Sequence, residues 1–149
     1  MLVFRIGLAK YATGLIASGM AARWNSNDMK VIYTSSSRSL ACLENVVHRS
    51  QLGLSGNFSV LTIEIPDGTR ILNQDLKELP ENWNTFELMH ITQNIGDKWI
   101  NDNKALTFRV PSSIIPSEFN YLINPAHADF SKIRHLKTEP FVFDDRIKR

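Results

Sequence analysis

Arg23 stands directly before Trp24 and Asn25. A guanidinium carries five N–H donors in a planar fork, so this triplet can grip a phosphate bidentately while the ring steadies the cation by stacking. A surface Arg laid over a half-buried Trp satisfies the same residues with no ligand at all. Ten positions on, Tyr33 closes a short apolar run, where it can stack on an aromatic ligand or sit in the core with its hydroxyl at the rim. Glu44 is more informative. It falls beside the apolar stripe of a helical repeat, where a carboxylate is costly unless paired, hydrated or used. An ion pair with Arg23 or Arg38 meets that condition, and so does catalysis. Pro111-Ser112-Ser113 after a β-rich run offers a hydroxyl held by a rigid turn, which is also ordinary turn chemistry. Asn120-Tyr121 and Asn124-Pro125 with His127 follow closely, and Asn-Pro commonly starts a loop.

Other chemistries are missing from the chain. It has no Gly-x-Gly-x-x-Gly and no Gly-x-x-x-x-Gly-Lys, so any nucleotide binds without a Rossmann turn or a P-loop. His48, His90, His127 and His135 lack the i, i+4 pairing of a zinc protease, and a lone cysteine cannot build a structural zinc site, so no metal is expected. Gly-x-Ser-x-Gly is absent, and Cys42 lies among apolar neighbours with no base beside it, which suggests a buried, inert thiol. With one cysteine no intrachain disulfide forms, which suits a reducing cytosol.

These candidate residues need a frame. A chain of 149 residues with 43% hydrophobic composition can bury about two thirds of its unfolded surface, and no repeat or low-complexity tract suggests a linker, so a single domain over 1–149 is expected. Net charge is only +2 and the signs are interleaved, which does not imply a nucleic-acid surface. The basic end Arg146-Ile147-Lys148-Arg149 reads as a solvated tail. Residues 14–22 faintly resemble a signal peptide after Arg5 and Lys10, but Ser18 and two glycines dilute the run. No stretch approaches the roughly 18 apolar residues of a membrane span.

The patterning predicts strands over 2–6, 31–33, 58–65, 70–72, 105–110, 119–123 and 141–143. A weak helix is expected in the small-residue segment up to Ala22, interrupted by Gly14 and Gly19. A firmer helix is predicted over 37–52, entered through the polar cluster 34–37, carrying the stripe Leu40, Leu43, Val47, Gln51, and stopped by Gly53. Thr92 is expected to cap a helix over 92–100, Pro111 to stop the fifth strand, and Pro66-Asp67-Gly68 to form a turn. Strands outnumber helices without alternating with them, which favours an α+β fold.

Taken in order, several motifs resemble the RES domain family across almost the whole chain. They are Arg5, Arg23-Trp24-Asn25, Tyr33-Thr34-Ser35, Leu43-Glu44, Gly96-Asp97-Lys98-Trp99, Val110-Pro111-Ser112, Asn120 through Pro125 with His127, and Phe143-Asp144 with Arg146. Two departures are visible: Ala21-Ala22 stands before Arg23 where the family usually has glycine, and the loop 26–30 lacks the usual glycine. The family takes its name from Arg, Glu and Ser motif residues, here Arg23, Glu44 and Ser112, with Tyr33 as a fourth active-site member. The resemblance implies an ADP-ribosyltransferase-like fold, with a split, mostly antiparallel sheet and flanking helices. It further implies a cytoplasmic bacterial toxin that degrades NAD⁺ by phosphorolysis or hydrolysis, forms a homodimer and is neutralised by an Xre-type helix-turn-helix antitoxin. At least one member ADP-ribosylates a protein target instead, and a catalytically silent binding module is a further alternative. On this reading NAD⁺ is a substrate, inorganic phosphate is the co-substrate of phosphorolysis, and no other cofactor is involved. Glu44 then faces the ribose hydroxyls and developing cation, Tyr33 the nicotinamide, and Arg23 the pyrophosphate or incoming phosphate. Arg5 is a second phosphate ligand, and Ser112 bonds ribose or nicotinamide.

Overall fold

The computed structural model describes residues 1–147, so Lys148 and Arg149 of the basic tail lie outside the described residues. Among the described residues there are seven strands: β1 (Leu2–Leu8), β2 (Ile32–Ser35), β3 (Phe58–Glu64), β4 (Ile71–Asn73), β5 (Thr107–Pro111), β6 (Phe119–Ile123) and β7 (Arg134–Phe141). Two α-helices are inserted, α1 (Arg38–His48) after β2 and α2 (Met89–Asp102) before β5. The strands form one sheet in the order β4-β5-β6-β2-β1-β3-β7. Every pairing is antiparallel except β4 with β5.

The sheet is split at its centre. On one side β1 pairs with β3 from Leu2↔Glu64 to Leu8↔Phe58, and on the other β2 pairs with β6 from Ile32↔Ile123 to Ser35↔Asn120. Between the halves β1 and β2 share the single register Phe4↔Ser35. This is the expected α+β, split-sheet architecture. Strand β3 lies between β1 and β7 and is buried on both faces from Phe58 to Ile63, which explains its near-continuous apolar sequence.

Under α1 lies a core of Ile6, Ala41, Leu54, Phe58, Val60 and Phe143, with Phe143 edge-on to both Phe58 and Phe141. Beside α2 is an aromatic core in which Trp24 packs at 5.8 Å from Trp83 and 5.9 Å from Phe108, with Trp99 at 5.4 Å from Phe108. Cys42 is only partly buried at the edge of the first core, and burial pushes its thiol up.

Several boundaries differ from the sequence expectation. Helix α1 is capped by Ser37, whose side chain accepts from the Leu40 amide at 3.0 Å, but it ends at His48 because Arg49 is extended. Gly53 falls in a following 3₁₀ turn rather than terminating α1. Helix α2 begins three residues before Thr92, whose hydroxyl oxygen lies 2.9 Å from the Met89 carbonyl inside the helix. Its end is an Asn103 with φ of 48°, a left-handed cap that asparagine tolerates. Pro111 is the last residue of β5, paired with Phe119, rather than its stop. The weak helix expected before Ala22 reduces to a 3₁₀ turn over Ala9–Tyr11, since the remainder has no apolar period to bury. The strand expected at 141–143 is only the end of β7, an edge strand whose Arg134, Lys137 and Pro140 hide its alternation and discourage further pairing.

Candidate functional site

Where β1 and β2 diverge, a cleft of about 630 Å³ opens, bounded by both strands, the cleft face of α1 and the segment 21–24. That volume suits a bound small molecule, for which about 300–1,000 Å³ is usual. Arg5, Arg23, Tyr33 and Glu44, spread over forty positions of sequence, all line it. Among the described residues no cluster of His, Cys, Asp and Glu is placed to hold a metal ion. No helix among them is long and apolar enough to cross a membrane.

Glu44 projects from the middle of α1. Its Oε1 accepts from Ser112 Oγ at 2.9 Å and from Asn120 Nδ2 at 2.7 Å, while Oε2 lies 3.6 Å from His48 Nε2, one turn along α1. Burial pushes this carboxyl up, but His48, Asn120 and Ser112 together outweigh burial and hold it below the ordinary glutamate range. Glu44 is therefore an anion at neutral pH. The ion-pair alternative does not hold for Arg38, which pairs with Glu139 at 2.7 Å and lies over the Phe4 ring.

Ser112 does not itself line the cleft. Its side chain is fully buried, and Oγ accepts from the Ile114 and Ile115 amides at 3.1 and 3.2 Å while donating to Glu44. The turn after β5 thus aims the hydroxyl at the carboxylate rather than at a ligand.

Arg23 extends from an irregular segment, and its fork is held by backbone rather than by Trp24. One terminal nitrogen donates to the Thr85 carbonyl at 2.8 Å and the Trp83 carbonyl at 3.4 Å, the other to the Asn84 carbonyl at 2.9 Å. Burial lowers the guanidinium's pKa, against raising influences from Tyr33 and Glu44. Trp24 points into the aromatic core, and Asn25 is buried with its amide donating to the carbonyls of Met20, Ser26 and Met29. The expected stacking of Trp24 on Arg23 and the amide contact to a phosphate are both replaced by structural roles, because a buried ring and a buried amide must be satisfied internally. Tyr33 is fixed through its hydroxyl, which accepts from the Trp24 amide at 3.0 Å and donates to Asn25 Oδ1 at 2.7 Å. Burial raises its pKa far above the ordinary tyrosine value, so it stays neutral. Arg5, on β1, donates to the Ile16 carbonyl at 2.6 Å and is lowered by burial.

Helix α2 holds the segment that carries Arg23. Thr92 donates to the Arg23 carbonyl at 2.6 Å, Gln93 to the Ala22 carbonyl at 2.9 Å, and Asp97 accepts from the Ser26 amide at 2.9 Å as well as from its hydroxyl. At Gly96 the two backbones touch: an added Cβ would stand 1.7 Å from the Trp24 carbonyl oxygen. Gly96→Ala is therefore expected to displace the segment, costing about 1–3 kcal/mol or more and lowering Tm by roughly 3–10 °C. An unchanged melting curve would show that the packing of α2 on this segment is misread. The missing loop glycine is accounted for by Asp28, which adopts a φ of 68° that aspartate tolerates, with its amide donating to Gly19 at 2.7 Å.

Not all motif residues enter the cleft. Asn124 ties the loop after β6 to the α2 cap through Asn103 at 3.0 Å, His127 accepts from the Asp129 amide, and Asp144 pairs with Arg146. Two cleft residues in contact with Glu44, His48 and Asn120, had no assigned role in the sequence. The i, i+4 spacing of Glu44 and His48 on one helix was the signal for the first of these.

A split, mostly antiparallel sheet parted over a cleft lined by a hydrogen-bonded carboxylate and three arginines, Arg5, Arg23 and Arg49, defines the class. Residues 3–144 match the family model of the RES domain, and the chain belongs to that family. Its curated relatives are toxins by name. It is 34% identical to "Toxin Res" of Yersinia enterocolitica, over 99% of this chain and all of that protein. It is also 34% identical to the "Prs ADP-ribosylating toxin" of a Sphingobium species, over 92% of this chain and 86% of the relative. In fold it resembles the crystal structure of the Mycobacterium tuberculosis MbcT–MbcA toxin–antitoxin complex, with a TM-score of 0.78 at 12% identity, covering 95% of this chain and 84% of the matched one.

Proposed function

We propose that this chain is the toxin of a bacterial toxin–antitoxin pair, acting in the cytosol as a homodimer of single-domain subunits. Its reaction is cleavage of NAD⁺ at the nicotinamide–ribose bond. The observation that carries this reading is the ionised Glu44, anchored through one oxygen at the wall of a cleft that also holds Arg5, Arg23 and Tyr33. When the C–N bond breaks, its electron pair leaves with the nicotinamide nitrogen, which becomes neutral, and positive charge develops on the ribose carbon and ring oxygen. Glu44 is the counter-charge for that oxocarbenium-like centre and a partner for the ribose hydroxyls. A phosphate oxygen then attacks to give ADP-ribose 1-phosphate, or water attacks to give ADP-ribose and a proton.

Tyr33, neutral and fixed by two hydrogen bonds, presents its ring to the nicotinamide. Arg23 keeps two of its five N–H donors beyond those directed at the 83–85 carbonyls, and these serve the pyrophosphate or incoming phosphate, with Arg5 as a second cation. Ser112 acts through Glu44 rather than on the substrate. No covalent nucleophile is needed, because positioning lowers the barrier for a good leaving group.

The Sphingobium relative's name favours a second reading, transfer of the same ADP-ribosyl group to a protein side chain. Incubating purified protein with NAD⁺, with and without phosphate, separates the two. Free nicotinamide without any acceptor protein, released faster with phosphate, is the expected result. Nicotinamide release that requires added cell protein, together with label transferred to it, would replace NAD⁺ depletion with ADP-ribosylation.

A further inference from the structure

Asn120 has no part in the roles assigned above, yet it makes the shortest hydrogen bond to Glu44, 2.7 Å from Nδ2 to Oε1. Its other amide atom, Oδ1, accepts from Ser35 Oγ at 2.8 Å, and Ser35 is buried. The Ser35↔Asn120 register is the last of the β2–β6 ladder, and Ser35 is also the residue that meets Phe4 in the single β1–β2 pairing. Asn120 thus sits at the point where the sheet parts, and its amide cannot turn over without facing its carbonyl oxygen toward an anion.

We propose that Asn120, locked by Ser35, is a positioning residue that together with Ser112 holds Glu44 by Oε1 and so presents Oε2 to the cleft. This rests on Glu44 being the reactive carboxylate. Two donors on one oxygen select one rotamer of a side chain that would otherwise sample several, and they come from the turn after β5 and from β6, on the same half of the sheet. Around Glu44 the titratable and charged groups lining the cleft are His48 on α1, Arg49 just after α1, Tyr33 on β2, Arg23 on the 22–26 segment and Arg5 across the cleft on β1. The turn after β5 and strand β6 contribute the neutral donors Ser112 and Asn120. Removing Asn120 therefore removes a donor to the ionised carboxylate without changing the local charge.

The test compares wild type with Asn120→Ala, Asn120→Asp and Ser35→Ala. Nicotinamide release from NAD⁺ is followed against pH, and Glu44 itself is followed by ¹³C NMR of labelled carboxylates, its resonance identified by loss in Glu44→Gln. Asn120→Ala should lower kcat by about 10- to 100-fold, the loss of one charge-assisted hydrogen bond, with little change in KM. Its acid limb and the Glu44 titration should both move to higher pH, because the ionised form has lost a donor. Asn120→Asp should move them further, since it adds a like charge beside Oε1, and Ser35→Ala less far. If Asn120→Ala does not fold, the nearly isosteric Asn120→Asp and Ser35→Ala, which leaves the Asn120–Glu44 pair itself in place, decide. Folded variants whose Glu44 titration and acid limb stay at the wild-type pH would overturn the proposal, whatever their kcat. Should wild type release no nicotinamide, the NAD⁺ reading fails while the carboxylate titration still decides the role of Asn120.

Discussion

Glu44→Gln is expected to abolish nearly all nicotinamide release, with kcat reduced by about 10²- to 10³-fold, while NAD⁺ still binds. The amide keeps the side chain's shape, and its Oε1 can still accept from Ser112 and Asn120, so the turn after β5 and the end of β6 keep their anchor. What disappears is the negative charge facing a carbon that becomes cationic only as the bond breaks, which is why the loss falls on kcat rather than on affinity. Stability supplies an internal control with a definite sign. The folded pKa of Glu44 is depressed, so the stability contributed by its ionised form is fully present above the ordinary glutamate range and is lost as pH falls through the lowered folded value. A modest Tm deficit of the variant at neutral pH should accordingly shrink as both proteins are acidified through that window. Near-normal turnover by a folded variant would mean that Glu44 is not the catalytic carboxylate, and since it is the one carboxylate among the residues lining the cleft, the oxocarbenium reading of this cleft would fail with it.

Much of this frame was legible because it depends on local chemistry. The apolar runs that became β3 and β6, the Ser37 cap, and the Pro66-Asp67-Gly68 turn with Gly68 at φ 80° follow from side-chain patterning and turn preference alone. Strand β7 was not legible in the same way. It is an edge element, and charges plus Pro140 erase its alternation as they protect its free side. In the site, residue types alone left Arg23, Tyr33, Glu44 and Ser112 each with an equally good structural explanation, and only their joint order pointed to a common cleft. What the order could not supply is which atom faces which. Trp24 looked like a stacking platform from its place next to Arg23, but the two are the turn residues between the bridged Ala22 and Asn25, where the guanidinium goes to the 83–85 carbonyls and the Trp24 ring faces the core. Ser112 looked like a ligand contact, but its burial converts it into a support for Glu44. Asn120 and Ser35 are eighty-five positions apart and become partners only through the β2–β6 register, a non-local fact that no window of sequence contains.

On the proposed reading, expression of this chain alone is expected to stop growth and deplete cellular NAD⁺, and co-expression with its cognate antitoxin to restore both. An enzyme that consumes a central cofactor without restraint harms its own cell, so the restraint has to act on the cleft or on the amount of protein. The cleft's charge favours the first. Arg5, Arg23 and Arg49 line it with Glu44 as the one carboxylate among the lining residues, and the donors that Arg23 does not direct at the 83–85 carbonyls are suited to an anion. A partner tail ending in a carboxylate can take the place of NAD⁺ phosphates there, each charge-assisted hydrogen bond contributing roughly 1.5–3 kcal/mol. Two such bonds are enough to exclude substrate at ordinary concentrations if the tail is tethered to a docked domain, because tethering supplies a high effective concentration. Purified antitoxin should then compete with NAD⁺, raising KM without lowering kcat for the fraction of free enzyme. Truncating the tail should release activity while leaving the two proteins bound. If instead the intact complex cleaved NAD⁺ at the free enzyme's rate, occlusion of the cleft would be excluded, and rescue of growth would have to come from repressed synthesis or faster degradation of the toxin.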